Sequence, residues 1–91
     1  MTPAEKRYLA RVACLPCLVC EHMGLGETPA DVHHIIEGQR RVSHYCTVPL
    51  CPEHHRGESG IHKLHRHEFE ARYKLSVLDL LAMTNERLQR R

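Results

Sequence analysis

Apolar positions fall into two groups, one within the first fifteen residues and one after Leu64, and the stretch between them is polar and broken by Gly, Pro and Cys. Thr2-Pro3-Ala4-Glu5 predicts a helix start, with Thr2 as N-cap, Pro3 at the first helical position and Glu5 reaching back to the cap. The helix runs to about Arg11 or Val12 and turns Leu9, Val12 and Ala13 to the core, while Glu5, Lys6 and Arg7 stay in water. Residues 14–29 predict a metal knuckle followed by a loop through Gly24-Leu25-Gly26. Asp31-Val32-His33-His34-Ile35-Ile36 is short, β-branched and bounded by turn residues, which predicts a strand. Residues 38–43 read as a loop. Val48-Pro49-Leu50 is a short extended segment suited to an edge or strand end, because Pro49 cannot donate to a ladder.

After Cys51, Pro52-Glu53-His54-His55-Arg56 can start a helix with Pro52 in the tolerated first turn, and Gly57 to Gly60 interrupt it. A helix over roughly residues 61–73 places Phe69 and Tyr73 on one face. Ser76 and Asp79 predict the cap of a last helix whose Val77, Leu78, Leu81 and Leu88 form a stripe over the core. No internal repeat or low-complexity segment is present.

At 91 residues the chain is a single domain, with knuckles and finger over about residues 14–66 and C-terminal helices over about 61–91. A domain this small buries too little surface to be stable without a staple. The five Cys and nine His, all between Cys14 and His67, make metal the natural staple. A disulfide framework is the competing reading. It is disfavoured by the odd Cys count and by Met1-Thr2-Pro3-Ala4-Glu5-Lys6, which has no apolar signal region, so a bacterial or phage-infected host cytoplasm is expected. No apolar run approaches the roughly 20 residues that span a bilayer, so no membrane is expected as a partner. The net charge of +2 permits nucleic-acid binding without requiring it. Basic residues do group at Arg40-Arg41, at Lys63 and Arg66, and at Arg87, Arg90 and Arg91, although solvated surface charge explains many such runs.

Two knuckles carry the strongest chemistry. Cys17-Leu18-Val19-Cys20 lets a tight turn aim two thiolates at one ion, and Cys51-Pro52-Glu53-His54 offers a second pair about thirty residues later, together a closed tetrahedral structural Zn²⁺ site. Cys14 shares the spacing to Cys17, but it belongs to the end of the first helix. Cys14 and Cys46 are expected as small buried apolar groups. His33 and His34 are neighbours on the predicted strand and so face opposite sides; taken alone such a pair is commonly surface polarity, and the alternative is one imidazole facing a metal and the other substrate. His55 follows His54 on a helix, where neighbours diverge by about 100°, so it is free to turn to the ion held by His33. Gly60-Ile61-His62 offers a further imidazole, with His65 and His67 as alternatives, while His22, His44, His65 and His67 are expected as exposed polar residues.

A His-His strand, a loop, an extended segment ending in Leu50-Cys51 and a helix beginning His54-His55 resemble the HNH, or ββα-metal, finger of endonucleases. The fuller set of Leu15-Pro16-Cys17-Leu18-Val19-Cys20, Val32-His33-His34-Ile35, the run Val48 to Arg56, Gly60-Ile61-His62 and Phe69 to Tyr73 is similar to the phage recombination-enhancement (Ref-type) nucleases and covers roughly residues 7–75. The resemblance implies a zinc-stabilised α+β fold and a metal-dependent DNA endonuclease. It implies His33 and His55 as ligands of a catalytic ion, His34 as general base and His62 as an added ligand or phosphate contact. The ion would be Mg²⁺ or Mn²⁺, with Zn²⁺ the alternative in an imidazole-rich site. Arg40, Arg41, Arg56 and Lys63 would hold DNA phosphates, and a recombinase filament would be a further partner. The middle Asn of the HNH name falls near Cys46 or Thr47, neither of which is Asn. This departure, with the short chain, motivates a rival reading as a non-catalytic zinc-binding module for nucleic acid or protein.

Overall fold

An antiparallel ribbon of two strands runs through the middle of the chain's fold. β1 (Asp31–His34) pairs with β4 (Thr47–Leu50) in a register that sets His33 opposite Val48 and Val32 opposite Pro49. The computed structural model describes residues 1–90, and Arg91 lies outside the described residues. The elements in order are α1 (Pro3–Ala13), α2 (Leu18–His22), β1, β2 (Ile36–Glu37), β3 (Arg40–Arg41), β4, α3 (Pro52–His55), α4 (Ile61–Tyr73) and α5 (Val77–Gln89). This is the expected small α+β chain, and β1, β4 and α3 make a strand–strand–helix unit. A two-stranded ribbon has only edge strands, so Pro49 is tolerated although β4 is wholly buried.

Helix caps behave as the sequence predicts. Thr2 and Glu5 form a complete capping box at α1, and Ser76 and Asp79 form another at α5. The core lies in two clusters. Val12, Leu15 and Leu88 pack with Tyr8 and Val32, joining α1, β1 and α5. The larger cluster gathers Leu18, Val48, Leu50, Phe69, Val77 and Leu80 around β4. Phe69 is fully buried, which by itself contributes about 1.5–3 kcal/mol.

Several expectations need correction. Residues 38–43 are not a plain loop. Ile36–Glu37 and Arg40–Arg41 pair as a hairpin whose tip, Gly38-Gln39, is left-handed at both positions, at φ 56° and 70°. The strand therefore ends at His34 and a new one starts at Ile36. Cys17 caps the short helix α2, so the first knuckle is helical rather than only a turn. Ala13 and Cys14 are exposed, because the last turn of α1 has already passed the core. The buried stripe of α5 is Val77, Leu80, Thr84 and Leu88, while Leu78 points outward at 70% exposure. The competing period failed because Thr84, a polar residue, occupies the inner face; its hydroxyl is satisfied by donating to the Leu80 carbonyl at 2.8 Å. Finally, α4 is broken at His65, whose φ of 67° and ψ of 162° lie in the left-handed half of the map that costs strain for a non-glycine residue. The break gives the first turn of α4 a different heading from the turns that bury Phe69 and Tyr73.

The start of α4 is pressed onto α3. A Cβ at Gly60 would lie 2.7 Å from the Glu53 carbonyl oxygen and 2.7 Å from the His55 carbonyl carbon, so only glycine allows this approach of backbone to backbone. Replacing Ser76 by Ala removes one α5 cap bond and is expected to lower stability by about 1 kcal/mol, read as a lower urea midpoint at unchanged slope.

Candidate metal centres

Beneath β4, the N-terminal ends of α2 and α3 meet. Cys17 is the N-cap of α2 and Cys20 lies one turn on, while Cys51 is the N-cap of α3 and His54 lies one turn on. The His54 Nδ1 sits 3.6 Å from the Cys17 sulfur, 3.4 Å from that of Cys20 and 3.3 Å from that of Cys51, and the Cys20 and Cys51 sulfurs are 3.7 Å apart. A zinc tetrahedron with Zn–S near 2.3 Å and Zn–N near 2.0–2.1 Å has edges of about 3.8 Å between sulfurs and about 3.5 Å between sulfur and nitrogen. The donors already stand at those edges, so the residues fit a closed Cys3His zinc site. Burial first, with the neighbouring Cys51 and Cys20 thiols adding to it against backbone hydrogen bonds that oppose it, pushes the Cys17 thiol up to about 12, which disfavours three adjacent thiolates unless a cation offsets their charge. Cys14 is exposed and outside the cluster, and Cys46 is half-buried against the core.

The second centre is made of imidazoles. His33 from β1, His55 from the end of α3 and His62 from the first turn of α4 bring their rings to centroid separations of 5.2, 5.2 and 4.8 Å. Their ligand nitrogens lie within 4.8 Å of one another. His33 and His55 are buried while His62 is exposed, so the cluster is closed on two sides and open on the third. Such an arrangement can hold one divalent ion and leave coordination positions for water or a phosphate oxygen. The open side faces a cleft of about 460 Å³ between the β2–β3 hairpin and α4, lined by His33, Ile35, Ile61, His62, Arg66 and Val77. Burial, with His55 and His62 adding repulsion, pushes His33 down to about 3, and burial likewise lowers His54 and His62. All three are therefore neutral donors near pH 7, the form a metal requires.

His34 lies on the other face of β1. Its Nε2 is 3.0 Å from Nδ1 of His44, in a shallow recess shared with Glu5, Arg41 and Ser43. Burial first, then Arg41 and His44, lower its pKa from 6.5. His44, expected as an exposed polar residue, is thus half-buried and partnered; only the contact made by the folded loop distinguishes it from His22, His65 and His67, which are exposed. Asp31 is a second residue not foreseen. It stands two positions before His33 on the same strand face, and its Oδ2 lies 3.4 Å from Nδ1 of His55. That i, i+2 spacing was the signal available.

Of the basic residues, Arg40, Arg41, Arg56 and Lys63 are exposed and take part in no ion pair among the described residues. Arg56 caps the C-terminus of α3 beside the imidazole centre, and Arg40 and Arg41 form β3. Arg66, Arg87 and Arg90 are instead occupied by Glu37 and Glu70, by Glu21 and by Glu86 respectively; the Glu37 and Glu21 pairs join separate elements, while Arg90–Glu86 is an exposed i, i+4 pair at the end of α5. Arg91 lies outside the described residues. Among those residues no helix is long and apolar enough to cross a membrane.

Two outcomes follow from these geometries. Cys17→Ala or Cys51→Ala is expected to release zinc and unfold the chain, checked by metal content and circular dichroism; a folded, zinc-replete variant would reject the ligand set. Acid should also unfold it. His33 is held far below its usual 6.5, so the unfolded chain binds the extra proton as the pH falls below 6.5, and stability that is complete above 6.5 is lost progressively toward pH 3. A melting temperature that stays level from pH 7 to pH 4 would contradict this.

Comparison with curated proteins gave no match. The family model described as "Recombination enhancement, RecA-dependent nuclease" matches residues 1–89, nearly the whole length and both metal centres. On that match the chain belongs to the recombination-enhancement, RecA-dependent nuclease family.

Proposed function

We propose that this nuclease cleaves DNA by the one-metal HNH route, with the Cys3His site as structural zinc and His33, His55 and His62 as the holders of a catalytic Mg²⁺ or Mn²⁺, or of Zn²⁺. The observation that carries the reading is the convergence of three imidazoles from β1, α3 and α4, of which His33 and His62 stand at the wall of a cleft, with His34 next along β1 and outside that cluster. A divalent ion held there supplies Lewis-acid stabilisation of the scissile phosphate and the leaving 3′ oxygen.

The chain's own residues do the rest. His34 is neutral at pH 7 because its pKa is lowered, so it can accept a proton from the attacking water. Arg41 lies beside His34, and Arg56 beside the imidazole centre; each offers a planar fork of donors to a flanking phosphate. Arg40 and Lys63 extend the positive rim as exposed, unpaired cations. The RecA dependence in the family's description supports a recombinase filament as partner.

The rival, a zinc module that binds without cutting, rests on the missing Asn near Cys46 and on the short chain. The loop that such an Asn would pin is held by other bonds. Thr47 donates its hydroxyl to the His44 carbonyl at 3.0 Å, the Tyr45 amide donates to the Ser43 hydroxyl at 3.0 Å, and the Ile35 amide donates to the Cys46 carbonyl at 3.0 Å. The side-chain amide is therefore dispensable to the loop. His34→Ala is expected to abolish Mg²⁺- or Mn²⁺-dependent cleavage of plasmid and single-stranded DNA while zinc content and melting temperature stay as in the unaltered chain. Cleavage by His34→Ala at the unaltered rate would remove His34 from the base role, and absence of metal-dependent nicking by the unaltered protein would favour the binding module.

A further inference from the structure

We infer that Asp31 is the positioning residue for His55, fixing the orientation and tautomer with which that ring meets the ion; the inference rests on the imidazole centre being a metal site. Period-2 alternation puts Asp31 and His33 on one face of β1 and Val32 and His34 on the other. Val32 goes into the small core cluster, and the opposite face turns toward α3. There the Asp31 Oδ2 lies 3.4 Å from His55 Nδ1, while the His55 ring lies 5.2 Å from His33 and 4.8 Å from His62.

An imidazole has two nitrogens that play different parts. A carboxylate only accepts, so the contact requires the hydrogen of neutral His55 to sit on Nδ1, and this leaves the Nε2 lone pair for the ion. Carboxylate partners of this kind also raise the basicity of the ligating nitrogen. His55 needs such help more than its neighbours do. It is buried in the last turn of the four-residue helix α3, between the zinc ligand His54 and the exposed Arg56, and among the described residues Asp31 is its only side-chain hydrogen-bond partner. Asp31 is itself about half exposed, at 49% of its side chain, so folding does not depend on its burial. It is neither one of the four Cys3His donors nor one of the residues that line the cleft.

The test uses the full chain with zinc in its Cys3His site. Nitrogen-15 correlation spectra of the imidazoles read the His55 tautomer, and calorimetric titration with Mn²⁺ reads occupancy of the histidine centre. The unaltered protein should show His55 as the Nδ1–H tautomer. Asp31→Ala should shift it to Nε2–H and weaken Mn²⁺ binding by about 10- to 100-fold. Asp31→Asn, whose amide oxygen still accepts the hydrogen bond, should keep the tautomer and lose less affinity. Zinc content and melting temperature should not change in either variant. An Nε2–H tautomer in the unaltered protein, or Mn²⁺ affinity of Asp31→Ala within twofold of normal, overturns the inference. The functional reading fails separately: a protein whose Mn²⁺ binding depends on Asp31 but which never nicks DNA keeps the positioning role and loses the nuclease mechanism. Cleaving protein with unchanged affinity in Asp31→Ala does the reverse.

Discussion

Three thiols and one imidazole meet under β4, and nearly every other placement in the molecule follows from that meeting. The ligands come from two short helices, α2 and α3, neither long enough to be stable alone. An ion shared by the four donors would tie their N-terminal ends together across about thirty residues of chain, closing a loop whose apolar burial in a 91-residue chain is small. β1, the hairpin and β4 all lie within that loop. The ribbon is thus clamped at the point where β4 runs into α3, and α5 packs over it with Leu80, Val77 and Leu88.

Simple geometric alternation then separates chemical roles on neighbouring residues. His54 and His55 differ by one step of an α-helix, and one serves the thiolate centre while the other joins the imidazole centre. His33 and His34 differ by one step of a strand, and one enters the imidazole centre while the other faces the recess with His44 and Glu5. Both candidate metal centres are therefore parts of a single frame. A change that rotates α3 moves a ligand of each at once.

Much of this was legible in the residues. The capping boxes of α1 and α5, the two Cys-containing knuckles, the strand with His33 and His34 and the interrupted helix after His55 all rest on local spacing rules, and local rules survive folding. What was not legible was either too short to make a pattern, hidden by a side chain that satisfies itself within its helix, or dependent on partners distant in sequence. The buried face of α5 was misread because Thr84 satisfies its hydroxyl within the helix and so can be buried like a valine. The hairpin at residues 36–41 has a two-residue tip and two-residue strands, too short for a pattern to register. His44 and Asp31 gained their partners only through the β1–β4 register and the α3 approach, and Arg66 and Arg87 gained Glu37 and Glu21 only when separate elements packed together.

Gly60 sets a different kind of limit on this protein. Its Cα rests against the main chain of Glu53 and His55, so the approach of the start of α4 to α3 is a contact between backbones, with no intervening side chain. Spacings built from side chains drift whenever a core residue changes size, because the neighbours relax to fill the space. A spacing built from peptide groups does not drift in that way, since every residue type carries the same peptide. The approach of α4 to α3, and with it two of the three imidazoles, is thereby less exposed to changes of side-chain size in the surrounding core, at the condition that position 60 has no side chain at all.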